Sequence, residues 1–282
     1  MTLEDFLEAN AQALNALKAE LTSRARPALG FDLIEGGETG LMTSRAGGSV
    51  AWPVGRTLPL DRHGKAMHFL LQLNLAEFPA LPDFPADGLL QVFLSNMVNE
   101  HAIIFRDGRF PREDRFPIVQ GDGFALVYHP EGTPLVETAW ERPKADYPIT
   151  AEGYETTATA LTLYSEEAMI PPDTNWHAQD IATKLHSLVQ THGDGGIDMY
   201  ELTMHVFADS DPAGLQIGGY ASPLQMDQRS VFEDARAYDR CVLNLTAFEG
   251  FDVPDMNFAI LIGSGDLRAR RFERSILIAD TD

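Results

Sequence analysis

Two windows of arginine are the residues whose type and spacing could do chemistry. Arg106, Arg109, Arg112 and Arg115 stand in one ten-residue stretch, and Arg268, Arg270, Arg271 and Arg274 in another. Together they hold eight of the 21 basic residues. A guanidinium presents its N–H donors as a planar fork that matches the oxygens of a carboxylate or phosphate. The chemistry on offer is therefore capture of an anion, with Arg106, Arg109, Arg268 and Arg271 as candidates. Asp107, Glu113, Asp114 and Glu273 lie in the same windows and compete as local ion-pair partners.

Other candidates are weaker. Trp52, beside Pro53, either lines a ligand groove or staples a turn to the core, and the usual burial of tryptophan favours the staple. Asp61, His63 and His68 could approach a metal, but scattered surface histidine is the simpler reading. The stretch HGDGGID (192–198) lacks the twelfth-position glutamate of a calcium loop. His186 and His192 straddle a helix end, so one helical face does not present both. Gly263-Ser264-Gly265 is too short for a dinucleotide fingerprint. The sequence holds no G-x-S-x-G elbow, no P-loop and no HExxH. No cofactor and no metal are expected.

The elements that must position these residues alternate with turns. Residues 2–21 read as a helix, with capping-box spacing at Thr2 and Asp5 and an apolar stripe from Leu3 to Leu21. Residues 173–191 read as a second helix, capped by Asp173 or Thr174 and burying Trp176, Ile181, Leu185, Leu188 and Val189. Strands are expected at FLLQLNL (69–75), LLQVFLS (89–95), AIIF (102–105), FALVYH (124–129), TATALTLY (157–164), CVLNL (241–245), FAILIG (258–263) and SILIA (275–279). The fold class is α+β, with largely antiparallel sheets.

One order of features occurs twice. Gly47-Gly48 leads to Trp52-Pro53, LLQLNL, a proline-rich loop and LLQVFLS; Gly218-Gly219 leads to Pro223, CVLNL, a loop with Pro254 and FAILIG. Gly48 to Asn74 is 26 residues and Gly219 to Asn244 is 25. A second copy of a strand-loop-strand unit covers or extends the sheet face that a single copy leaves bare. Asn74 and Asn244 are polar residues in apolar strands, so each needs hydrogen-bond partners wherever it is buried. The chain is read as one domain over 1–282, with pseudo-repeats at about 30–136 and 157–282 and a soft boundary in the connector 137–155.

These motifs resemble the YwqG-like family, a bacterial domain of unknown function. The resemblance rests on GGSVAWPVGRTLPL (47–60), HFLLQLNLAEFPALPDFPADGLLQVFLS (68–95), DGFALVYHPEG (122–132) and IGGYASPLQMD (217–227). It implies a duplicated α+β fold and no characterised reaction. Its Leu-Gln-x-Asn strand falls on Gln72 and Asn74, and its Gln-Asp element on Gln225 and Asp227. VPDMNF (253–258) stands where the family usually carries a Trp-Gly-Asp turn.

Composition bounds the function classes. Acidic residues number 42 against 21 basic, a net charge of −21 that argues against nucleic acid. It suits a basic protein partner, or leaves a small anionic ligand to the arginines. Cys241, the single cysteine, excludes an intrachain disulfide and fits a reducing, cytoplasmic setting. No window holds 18 uninterrupted apolar residues and no signal peptide opens the chain, so no membrane is expected. The leading expectation is a non-enzymatic binding protein that uses the surface between two related halves. The alternative is a hydrolase or transferase acting on an anionic small molecule near the arginines.

Overall fold

The computed structural model describes residues 2–34, 37, 39–95, 118–139, 158–191, 197–208, 214–224, 227–246 and 256–281. The expected strand 102–105 and Arg106, Arg109 and Gln225 lie outside them.

The first helix is two. Helix α1 (Leu3–Ala9) begins on the expected capping box, and α2 (Ala11–Ser23) follows a break at Asn10. The Asn10 side chain donates to Phe6 O at 2.9 Å and satisfies a carbonyl at the end of the first helix. The second helix also starts later than its spacing predicts. Asn175 caps a short 3-10 turn, and α3 spans Gln179–Thr191. Helix α4 (Met199–Val206), capped by Asp198, was not read from the sequence. Phe6, Leu14, Leu17, Leu21, Ile181, Leu185, Val189, Leu202 and Val206 from these four helices pack into one apolar cluster.

The strands are β1 (Arg26–Ile34), β2 (Arg45–Ala46), β3 (Val50–Pro53), β4 (His68–Asn74), β5 (Leu89–Leu94), β6 (Ile118–Val119), β7 (Phe124–His129), β8 (Leu135–Thr138), β9 (Thr159–Met169), β10 (Leu215–Gly218), β11 (Arg240–Leu245), β12 (Met256–Ile262) and β13 (Ile276–Thr281). Eleven form one antiparallel sheet in the order β6-β13-β12-β11-β10-β1-β9-β2-β4-β5-β7. β3 and β8 form a separate pair. A short helix, α5 (Ser264–Arg268), follows β12.

The two ends of the sheet, β6 and β7, are neighbours in the chain, so the sheet curls until it nearly closes. Gln120 completes the seam. Its Oε1 accepts from Leu126 N at 2.6 Å and its Nε2 donates to Leu126 O at 3.1 Å, a side-chain version of a ladder pair. The inward face holds the main core, with Leu71, Leu90, Val92 and Leu126 from one side and Leu243, Phe258, Ile260 and Leu277 from the other.

Two arms leave the central β1–β9 pair: β2-β4-β5-β7 and β10-β11-β12-β13. Each opens on a Gly-Gly pair with positive φ, Gly47-Gly48 and Gly218-Gly219. Each carries a register shift at one place, between Phe69 and Leu71 in β4 and between Cys241 and Leu243 in β11. Such a bulge moves successive side chains onto different faces. Arg45 stands opposite Gln72 as Gln216 stands opposite Asn244. In cross-strand position Asn244 thus matches Gln72, two residues before Asn74.

Gly218 has φ +74, and a Cβ built there would lie 2.7 Å from Pro27 O and 3.1 Å from the Leu81 side chain. Only glycine allows β10 to turn against the start of β1 with the 81–84 loop on top. Gly218→Ala is expected to cost about 2 kcal/mol or more, because strained φ and backbone overlap add. Chemical denaturation checks this; an unchanged midpoint would contradict the packing described.

Candidate functional site

The cleft of interest lies where the arms meet. Its lining comes from the start of β1 (Arg26, Pro27), the β4–β5 loop (Leu81, Pro82, Asp83, Phe84), the end of β10 (Gly218, Gly219) and the start of β11 (Arg240, Cys241). Its volume is about 130 Å³, room for a small anion or one end of a larger ligand.

Arg26 is the first residue of β1 and is half-buried. Its guanidinium lies over the Tyr220 ring, 4.3 Å from the centroid, and donates to Asp239 O at 2.8 Å. Among the described residues no carboxylate pairs with it. Burial pushes its pKa down, so its charge is held at a desolvation cost that an anion would offset. Arg240 holds Asp239 at 2.6 Å and, more loosely, Asp83 at 3.5 Å. Two guanidinium groups thus border one cleft in a strongly acidic protein.

A rigid frame stands behind them. Asp227 and Arg229 form a buried ion pair at 2.6 Å. Asp227 also accepts from Trp176 N at 3.0 Å, and Arg229 donates to Tyr238 O at 2.9 Å. Thr174 and Asn175 donate to the carbonyls of Pro223 and Ala221. The segment carrying Tyr220 is therefore pinned to the start of α3, and Tyr220 itself donates to Arg24 O at 2.5 Å. His177 packs on Tyr220 with ring centroids 5.4 Å apart. Burial first, then Arg26 and Arg229, depress its pKa to about 4, so it stands neutral at neutral pH. The Cys241 thiol is pushed up to about 12 by burial and is no nucleophile.

The other candidates fall elsewhere. Trp52 is a staple: it is buried edge-on to Phe93 and His129, and its indole N–H donates to Arg56 O at 3.1 Å. Gln72 is fully buried and donates to the carbonyls of Leu41 and Thr43, both at 2.9 Å, while accepting from Gln91 at 3.2 Å. Asn74 caps a 3-10 turn by accepting from Ala76 N. Asn244 is buried and accepts from Ser222 N at 3.0 Å. Arg271 pairs with Asp266 at 2.5 Å, and Arg268 reaches Asp83 at 3.4 Å. Gly48 lines a separate depression of about 350 Å³, where the Arg45 guanidinium is engaged by the carbonyls of Gly40, Leu41 and Ser49. The two Gly-Gly turns therefore do not share a cavity.

Arg26, Asp83, Tyr220 and Arg240 were missed in the sequence. Arg26 and Arg240 each stand one residue ahead of an apolar run, and Pro82-Asp83 is a turn dipeptide. These signals are common and do not single out a site.

Two outcomes test this frame. Arg229→Met strands the Asp227 carboxylate in the interior and is expected to destabilise the fold by about 3–5 kcal/mol. A loss under about 1 kcal/mol in denaturant titration, the range of an exposed pair, would show that the pair is not buried. His177 has a depressed folded pKa, so protons favour the unfolded chain. Its contribution is to hold stability constant above its ordinary 6.5 and to erode it as pH falls from there to about 4. His177→Gln is expected to flatten that part of the stability–pH curve, and an unaltered curve would place the imidazole in solvent.

No curated protein matches the chain. A family model described as a domain of unknown function, DUF1963, matches residues 44–281, which takes in both arms of the sheet and all of the cleft lining except Arg26 and Pro27. The chain belongs to the DUF1963 family.

Proposed function

We propose that this protein is a non-enzymatic binding protein whose site is the cleft between the two arms, and that its ligand carries a small anionic group. The observation that carries this reading is Arg26: a half-buried guanidinium bordering the cleft with no carboxylate partner among the described residues. Arg240 and the close backbone of Gly218-Gly219 complete the lining. A site built to hold an anion supplies fixed donors, and the main chain and side chain of Asp239 hold the Arg26 and Arg240 guanidinium groups in place. Binding is favoured over catalysis by the lining itself. Apart from arginine its ionisable groups are Asp83, which faces Arg240 and Arg268, and a thiol whose pKa lies near 12. The net charge of −21 repels polyanions at long range, so the ligand is small and of low charge.

The two arms are read as copies of one strand motif. Support comes from the matching Gly-Gly pairs, the matching register shifts in β4 and β11, and the matching cross-strand positions of Gln72 and Asn244. On that reading the cleft lies at the junction of the copies. The ordered motifs support a place among bacterial YwqG-like proteins, and the single buried cysteine suits a cytoplasmic setting.

Titration with sulfate and with acetate at low ionic strength, followed by backbone amide NMR, tests the site. Shifts are expected at Gly218, Gly219 and Arg240, and Arg26→Gln is expected to weaken binding by roughly tenfold or more, the usual loss with a charge-assisted bond. An Arg26→Gln protein that folds and binds both anions as wild type does would overturn the assignment.

A further inference from the structure

Asp83 takes a backbone conformation that glycine fills most easily and aspartate tolerates. Leu81-Pro82-Asp83-Phe84 is a turn closed by Phe84 N donating to Leu81 O at 3.2 Å, with Pro82 at the second position and Asp83 at the third. Asp83 has φ +69, the left-handed region that a type II turn demands at this position and that glycine fills without strain. Aspartate there costs on the order of 1 kcal/mol. Turn geometry does not need that side chain. The arginines give it a role.

The turn holds Asp83 at the cleft. Leu81 is buried in the main core and Phe84 packs against it, so the residues on both sides are anchored. Between them the carboxylate is carried toward the opposite arm, 3.5 Å from Arg240 and 3.4 Å from Arg268. Both distances are long beside the 2.6 Å that joins Arg240 to Asp239. Asp83 thus faces one guanidinium of the cleft, Arg240, and one beyond its lining, Arg268, and holds both loosely.

We infer that Asp83 is a built-in competitor for the anion site: its carboxylate occupies Arg240 in the free protein and is displaced when an anionic ligand enters. The inference rests on the cleft being an anion site, as proposed above. It adds that ligand affinity is set by an exchange of one carboxylate for another anion, with the Asp83 side chain turned away from Arg240 while the anchored turn stays in place. A ligand therefore binds with its intrinsic affinity reduced by the fraction of molecules in which Asp83 holds the arginine. The acidic loop tip also discriminates against weak anions, which do not outbid an intramolecular carboxylate at high effective concentration.

The test compares sulfate affinity by calorimetry in wild type, Asp83→Asn and Asp87→Asn. Asparagine tolerates the left-handed region, so Asp83→Asn keeps the turn and removes only the charge. Asp87 is in the same loop, but its carboxylate faces the Tyr128 hydroxyl at 3.4 Å, so its loss is a control for general charge. Asp83→Asn is expected to bind sulfate about fivefold tighter or better, and Asp87→Asn within about twofold of wild type, since only the first removes a competitor. In wild type the Asp83 carboxyl carbon resonance is expected to move as sulfate saturates. Equal affinity in wild type and Asp83→Asn, or equal tightening in both variants, overturns the competitor and leaves the cleft as an anion site. Sulfate binding in none of the three proteins overturns the cleft reading, and the competitor with it.

Discussion

The antiparallel ladder between β1 and β9 is the constraint on which the structure depends. Its register runs from Arg26 opposite Met169 to Ile34 opposite Ala160. One arm attaches to its β9 side through β2 and the other to its β1 side through β10. Each arm alone would leave an apolar face in water. Joined through this pair, they curl until Gln120 ties the far ends together, and residues from both fill one interior. The outer faces are then closed by local covers: Val50 and Trp52 over Phe69 and Phe93, and Ala221 and Ala235 over Cys241 and Leu261.

The site follows from that ladder. β1 begins at Arg26, and Gly219 N donates to Pro27 O at 2.9 Å just beyond it. The Gly-Gly turn of one arm and the proline-rich loop of the other are thereby brought to the same end of one strand. A guanidinium placed there is partly desolvated by protein, and the aromatic face of Tyr220 compensates it only in part. Other described arginines are neutralised directly: Arg24 by Asp180 and Glu20, Arg229 by Asp227, Arg271 by Asp266. Among the described residues, Arg26 and the buried Arg45 donate only to carbonyl groups instead, and of these two it is Arg26 that shares its cleft with a second guanidinium.

Much of the fold was legible. Strands such as CVLNL and FALVYH follow from apolar runs bounded by turn residues, and the two Gly-Gly pairs mark where each arm begins. The break at Asn10 was hidden, because the apolar stripe continues through it and only a side-chain hydrogen bond to Phe6 O marks the join. The site was less legible. Arginine density draws attention to Arg268 and Arg271, yet Arg271 pairs locally with Asp266 and Arg268 reaches the distant Asp83. Arg26 and Arg240 are 214 residues apart and meet only because β10 lies between β1 and β11. Asn74 and Asn244 stand out as polar residues in apolar strands, Gln72 and Asp227 through the family motifs, and each satisfies backbone groups. Without the strand order, a buried structural amide and a ligand-binding one look alike in sequence.

The central claim is that the junction of the two arms holds an anion between Arg26 and Arg240. Anomalous diffraction from crystals soaked in selenate tests it most directly, since the anion's position is read without reference to any assumed site. The account predicts a selenium peak in the cleft, within hydrogen-bond distance of a guanidinium nitrogen of Arg26 or Arg240, with Asp83 turned away. A cleft with no peak, in crystals where selenate is seen at other arginines, would contradict it.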